Sequence, residues 1–179
     1  VNRRGDLGYN AQYYMCQIYF VQGEYSKVLS LGKALLADNN KSDMDGEINR
    51  VVGDSFYHQG SDDEAYKYIS KYLEDNETEP IRTAEYILGV IDYKHADFQK
   101  AIEHLGDVSD GNDALAQSAY YFIGQSYRKL DNKSLAAIAF EKACQMNFDR
   151  DTQEAAFYNY AVMQNEGSRT PFSKTIDMF

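Results

Sequence analysis

The chain has 179 residues, 44% of them hydrophobic and 26% charged, which is the balance of one globular domain or one repeat array. Its formal net charge of −10 repels phosphate backbones and disfavours a nucleic-acid partner, and no run of about 18 apolar residues exists to span a membrane. Two prolines in the whole chain favour long helices, two cysteines are too few for a disulfide framework, and 16 tyrosines without a tryptophan call for a reason.

Read in chain order, the sequence repeats. A small residue recurs at Cys16, Gly53, Gly89, Gly124 and Ala161, at spacings of 37, 36, 35 and 37. Twelve residues after the first four lie Val28, Ala65, Ala101 and Ala136; seven further on lie Leu35, Tyr72, Val108 and Ala143. Each unit is broken in the middle by a turn: VQGEY (21–25), HQGSDD (58–63), KHADF (94–98) and KLDNK (129–133). Gly23 and Gly60 supply the permissive backbone that ends a helix. Ser61 with Glu64 has the spacing of a capping box that begins the next. On both sides of each turn the apolar residues fall three and four apart, the helical period.

Each unit therefore reads as helix, turn, helix, followed by a polar connection. Those connections are DNNKSDMDGE (38–47), EDNETEP (74–80), VSDGND (108–113) and NFDRDT (147–152). Glycine and alanine at the crossing let antiparallel helices approach, and bulky neighbours such as Tyr127 and Phe140 fill the adjoining space. The last unit has Phe157, Tyr160 and Ala161, and TPFSKTIDMF (170–179) reads as the start of its second helix, entered through Pro171. The chain stops inside that helix, as an excerpt of a longer array would. Val162, Ile176 and Phe179 would then be uncovered, a possible route to self-association.

This pattern resembles the tetratricopeptide repeat family. The copy from Gln117 to Arg150 carries it without a gap in Tyr120, Ile123, Gly124, Tyr127, Ala136, Phe140 and Ala143. The copy from Arg82 keeps Leu88, Gly89, Phe98, Ala101 and Leu105, and that from Gly46 keeps Val52, Gly53, Phe56, Gly60 and Ala65. The copy from Tyr9 departs most, with Cys16 and Val28 at small positions and Gly32 where an aromatic is usual. The resemblance implies an all-α fold, a right-handed superhelical solenoid of antiparallel helix-turn-helix repeats over about 9–45, 46–81, 82–116 and 117–153, with a partial repeat at 154–179. The ten-residue segment TPFSKTIDMF (170–179) also resembles multi-repeat proteins of bacterial cell envelopes, which implies a periplasmic or envelope location, with the cytoplasm as the alternative.

Chemistry is hard to find in the residues. His58, His95 and His104 form no His–His or His–Cys pair at metal-ligand spacing. Asp43, Asp45 and Gly46 imitate the middle of a calcium loop, but Lys41 and Val52 stand where oxygen ligands belong. There is no nucleophile elbow, phosphate loop or CxxC motif, and the expectation is no metal and no cofactor. Asn40, Asn76 and Asn132 open formal glycosylation tripeptides. The run Asp62-Asp63-Glu64 suits a helix N-terminus. Cys16 and Cys144 fall three units apart and are expected to be free thiols acting as small apolar residues.

Stacked two-helix units make an extended concave face, lined in the family by the first helix of each unit. Three residues before the small position, rotated roughly 60° from the core edge, stand Tyr13, Arg50, Tyr86, Tyr121 and Tyr158. Four after it stand Phe20, Tyr57, Tyr93, Arg128 and Asn165; one after it, Gln17, Asp54, Val90, Gln125 and Val162. A ladder of tyrosines with interspersed arginines is thus expected on the inner face, in the residue types that dominate binding hot spots. The competing reading is that the rings merely pack against the next unit. Slots holding Tyr, Gln and Val, rather than Lys, Asn and Arg, disfavour capture of chaperone C-terminal carboxylates and fit an extended or helical peptide. The expected function is a non-catalytic scaffold for a protein or peptide partner. The alternative is a regulatory or substrate-positioning arm of an enzyme, with Arg50, Asp54, Tyr57 and His58 on one helix.

Overall fold

The computed structural model describes residues 3–37, 42–75 and 81–167. Among these the chain forms α1 (Arg3–Val21), α2 (Tyr25–Leu36), α3 (Asp45–His58), α4 (Asp62–Asp75), α5 (Arg82–Lys94), α6 (Phe98–Ser109), α7 (Ala114–Lys129), α8 (Lys133–Gln145) and α9 (Arg150–Gly167). No strand occurs among the described residues. The four mid-unit turns fall between α1 and α2, α3 and α4, α5 and α6, and α7 and α8, as expected. The segment 170–179 lies outside the described residues, as do Lys41, Asn40 and Asn76.

Two compact units are distinguishable, Val1–Ile87 and Leu88–Phe179, with the boundary inside α5. In the first, α1 packs on α2, α2 on α3 and α3 on α4. In the second, α6 packs on α7, α7 on α8 and α8 on α9. The first unit's core joins Cys16, Val28 and Leu35 of the first hairpin to Ile48, Val51 and Val52 of α3. The second unit's core joins Ala136, Phe140 and Ala143 of α8 to Ala156 and Met163 of α9.

One turn geometry is used four times. Gly23 and Gly60 adopt φ values of +73° and +74°, and the residues in register with them, Ala96 and Asp131, adopt +63° and +57°. In each case the next residue's N–H reaches back to the carbonyl five positions earlier: Glu24 to Tyr19 and Ser61 to Phe56, both at 2.9 Å, Asp97 to Asp92 at 2.9 Å, and Asn132 to Tyr127 at 2.8 Å. This is the Schellman ending, which needs one left-handed residue. Glycine meets that need at two turns; at the other two a side chain tolerates it. The Asn132 side chain then caps α8 by accepting from the Leu135 N–H at 3.2 Å, and Asp113 caps α7 through the Ala116 N–H at 2.9 Å.

The small positions do the work expected of them. A Cβ on Gly53 would lie 2.7 Å from Ile69 Cγ1, one on Gly89 2.5 Å from Leu105 Cγ, and one on Gly124 2.7 Å from Phe140 Cδ1. The first repeat reaches the same density by another route. There Gly32 stands in register with Ile69, Leu105 and Phe140, and a Cβ on it would lie 2.4 Å from Val52 Cγ2. The space left by Gly32 is thus taken by α3 of the next repeat, and Cys16 has room for its sulfur.

The connection after α8 is held by one side chain. Gln117 is fully buried. Its amide nitrogen donates to the carbonyls of Ala143 at 3.3 Å, Met146 at 2.9 Å and Asp149 at 3.0 Å. Its amide oxygen accepts from the N–H groups of Phe148 at 3.0 Å and Asp149 at 2.8 Å. A polar segment with no helical ladder of its own is satisfied this way.

Candidate functional face

In the first unit the positions expected to face inward on α1 and α3 meet. Tyr13, Gln17 and Phe20 lie on α1 at spacings of four and three; Arg50, Asp54 and Tyr57 repeat that spacing on α3. The Arg50 guanidinium lies 5.9 Å from the centre of the Phe20 ring, within cation–π range, and its Nε donates to Glu47 Oε2 at 2.9 Å. Burial pushes the Tyr13 hydroxyl pKa up, reinforced by the Glu47 charge and opposed by a hydrogen bond with Gln17 and by Arg50. Tyr57 is pushed up to about 12, first by burial, then by Tyr86, Asp62 and Asp54. Tyr57 and Tyr86 both keep part of their surface open.

Asp54 is largely buried, and its carboxyl pKa is raised by that burial against the opposing pull of His58 and Arg50. His58 Nε2 stands 3.5 Å from Asp54 Oδ1, and the imidazole stacks on Tyr25 with centroids 4.6 Å apart and planes 7° apart. The stack orients the imidazole beside the Asp54 carboxylate.

In the second unit the aromatic positions form a continuous cluster. Tyr93 and Phe122 have centroids 5.4 Å apart, Tyr121 and Phe122 5.6 Å, and Tyr121 and Phe140 6.0 Å. Gln125 is 7% exposed and donates through Nε2 to the Tyr121 hydroxyl at 2.8 Å. Arg128 is exposed, and its Nη1 donates to Asn159 Oδ1 on α9 at 2.7 Å. Tyr158 stands out at 67% exposure.

The expected residues thus divide by burial. Tyr13, Gln17, Phe20, Arg50, Tyr57, Tyr86, Tyr93 and Tyr121 are half-buried, Arg128 and Tyr158 are exposed, and Asp54 and Gln125 are buried. Three further residues complete the arrangement: Glu47 and Asn159, which orient the two arginines, and Phe122, which joins Tyr93 to Tyr121. None was legible from its own position, because Phe122 and Asn159 occupy the slot that elsewhere holds Val51 and Ile87, both buried in the core. Only the fold shows that an adjacent helix puts a partner beside it.

Among the described residues, no group of three or more His, Cys, Asp or Glu side chains could hold a metal ion. Asp45, from the calcium-like stretch, accepts instead from the Tyr9 hydroxyl and from the Ser42 N–H. Cys16 and Cys144 are free thiols, and burial pushes both thiol pKa values up. Within the described residues no helix is long and apolar enough to cross a membrane.

No model of a protein family and no curated protein matches the chain. Its structure is similar to solved ones. It aligns with MamA at a TM-score of 0.69 and 21% identity, over 92% of this chain and 90% of that one. It aligns with a tetratricopeptide repeat protein from Parabacteroides merdae at 0.67 and 16% identity, over 88% of this chain and 59% of that one. YrrB, a TPR protein with an unusual peptide-binding site, aligns at 0.66 and 19% identity, over 83% and 73%. The chain thus has the all-α helical-repeat fold of tetratricopeptide repeat proteins.

Proposed function

We propose that this chain is a non-catalytic interaction scaffold that binds a peptide or partner protein through the tyrosine-rich inner slots of its first helices. The observation that carries the reading is the meeting of successive inner slots in the first unit, where Arg50 lies over Phe20. Half-buried tyrosines offer large contact area, a hydroxyl and little rotamer freedom to lose. An arginine already oriented by Glu47 needs little further ordering to meet a partner. The likeness to YrrB, whose peptide-binding site is stated for that protein, supports a peptide as one class of ligand.

The test is retention of partners by the chain and by a Tyr86→Ala, Tyr121→Ala variant, with the retained proteins identified by mass spectrometry. The expected outcome is loss of the specific partner with an unchanged helical circular dichroism spectrum. Retention of the same partner by the variant would remove the inner slots from the reading.

A second reading is favoured by Asp54, a buried carboxyl 3.5 Å from His58. It makes the face a substrate-positioning arm of an enzyme. Asp54→Asn would then alter turnover by the partner enzyme without changing partner capture, whereas in the scaffold reading turnover is untouched.

A further inference from the structure

Three surface slots of the repeat change character in the fourth hairpin. Six, eleven and fourteen residues after the small position stand Gln22, Lys27 and Ser30 in the first repeat. The second repeat has Gln59, Glu64 and Lys67 there, and the third His95, Lys100 and Glu103; all of these are exposed. The fourth repeat has Leu130, Leu135 and Ile138, which are 45%, 39% and 51% exposed. Leu130 ends α7, and Leu135 and Ile138, three apart, share one face of α8. Single exposed apolar residues are ordinary, but three that together replace polar ones are not.

A following hairpin does not cover these slots. The hairpin of α7 and α8 follows α6, with α7 packed on it, and Lys100 and Glu103 of α6 stay exposed. The patch is rimmed by lysines, all exposed. Lys129 adjoins Leu130, Lys133 opens α8, and Lys142 lies four residues beyond Ile138 on the same helix face. Lys142 is held in place, its Nζ 4.8 Å from the centre of the Tyr120 ring and 3.2 Å from the Tyr120 hydroxyl. Asp131 stands at the turn, and Glu141 accepts from the Tyr160 hydroxyl at 3.4 Å.

We propose that this patch docks an acidic amphipathic helix of a partner protein, its apolar ridge on Leu130, Leu135 and Ile138 and its carboxylates over the lysines. The rim selects this occupant. A second copy meeting the patch about a two-fold axis would set lysine against lysine, and a basic helix meets the same repulsion. A short helix feels charges within a Debye length of about 8 Å, where the rim lysines outnumber Asp131 and Glu141. An anionic membrane instead faces the whole chain, whose net charge is −10. The site is separate from the inner slots: Leu130 is two residues past Arg128 and so roughly 200° round the helix from it. Three apolar side chains make a small interface, so binding is weak and sensitive to salt.

The experiment titrates the full 179-residue chain into a fluorescent synthetic helix and reads anisotropy. The probe is about 18 residues long, with leucines three and four apart and glutamate elsewhere. The expected result is saturable binding that weakens between about 0.05 and 0.5 M salt. The same helix with lysine in place of glutamate should bind at least about tenfold more weakly. The variant Leu130→Gln, Ile138→Ser installs the residues of the first repeat and leaves the charge unchanged. It should keep its helical spectrum and lose affinity for the probe by at least about tenfold. Leu135→Lys, which matches Lys27 and Lys100, serves if that variant folds poorly. The Tyr86→Ala, Tyr121→Ala variant should bind the probe like the wild type, which keeps this site distinct from the inner-slot reading. Absence of saturable binding, equal binding of the two helices, or binding that survives the patch substitutions overturns the proposal. So does a patch that takes up phosphatidylserine vesicles in place of the acidic helix.

Discussion

Gly124 and Phe140 meet where α7 crosses α8, and a Cβ on the glycine would stand 2.7 Å from Phe140 Cδ1 and 3.0 Å from its Cγ. Phe140 is fully buried, so its ring can yield only by displacing packed neighbours. In an exposed helix interior, glycine to alanine stabilises by about 1 kcal/mol. At this crossing the sign reverses. Gly124→Ala is expected to destabilise by about 1–3 kcal/mol through overpacking. The paired change Gly124→Ala with Phe140→Leu should recover part of the loss, and the double-mutant cycle read by urea unfolding measures the coupling.

The four Schellman turns predict an opposite pair of effects. Ala96 and Asp131 hold left-handed φ values that glycine holds at Gly23 and Gly60. Ala96→Gly should stabilise by about 0.5–1 kcal/mol, since the left-handed conformation costs a residue with a Cβ roughly 1–2 kcal/mol. Asp131→Gly should do less, because Asp tolerates this region better than Ala. Gly60→Ala should cost about 1 kcal/mol from its backbone alone, as a Cβ there meets nothing within 4 Å. Thermal or urea midpoints of the three variants give the order directly.

Gln117 predicts a large and local loss. Gln117→Leu would remove the partner of the Phe148 and Asp149 N–H groups and of the Ala143 and Met146 carbonyls in a part-buried connection, while the Asp149 carbonyl keeps the Gln153 N–H at 3.0 Å. Each stranded group costs about 1–3 kcal/mol unless water reaches it. The expected total is at least about 3 kcal/mol. Amide exchange at Phe148 and Asp149 should accelerate before exchange in the middle of α7, which separates loss of this clamp from general unfolding.

The third hairpin replaces a ring pair by an acid and an imidazole. Phe56 and Tyr68 stack in the second repeat at 5.6 Å; in register with them, Asp92 and His104 face each other, Nε2 to Oδ2, at 3.6 Å. Burial raises the Asp92 pKa, opposed by His104, Lys100 and His95 and reinforced by Asp97. A raised folded pKa means that the folded state prefers the protonated acid. The resulting stabilisation is present below the ordinary carboxylate range and is lost as pH rises through the folded value. Asp92→Asn, which mimics the protonated form, should therefore gain on the wild type as pH rises from about 4 to 7. Urea midpoints of both proteins across that range check the sign; a constant difference would show that Asp92 titrates normally.

The sequence by itself determined the helical units, their period, their turns and the positions of the small residues. These are local properties: the three-to-four spacing of apolar residues, the glycines at Gly23 and Gly60, and the recurrence of one small residue every 35 to 37 positions. It could not show what Gly32 is for, because the atom that fills its space belongs to Val52 in the next hairpin. Nor could it show that Ala96 and Asp131 take the conformation of the two glycines, since a hydrogen bond spanning five residues imposes it on side chains that do not ask for it. Among the inner slots, the residue types were legible but their exposure was not. Asp54 and Gln125 are drawn into the packing while Arg128 and Tyr158 stay out, because burial depends on the neighbouring helix and not on the residue's own place in the repeat. Tertiary structure alone decided which arginines are oriented, by Glu47 and by Asn159.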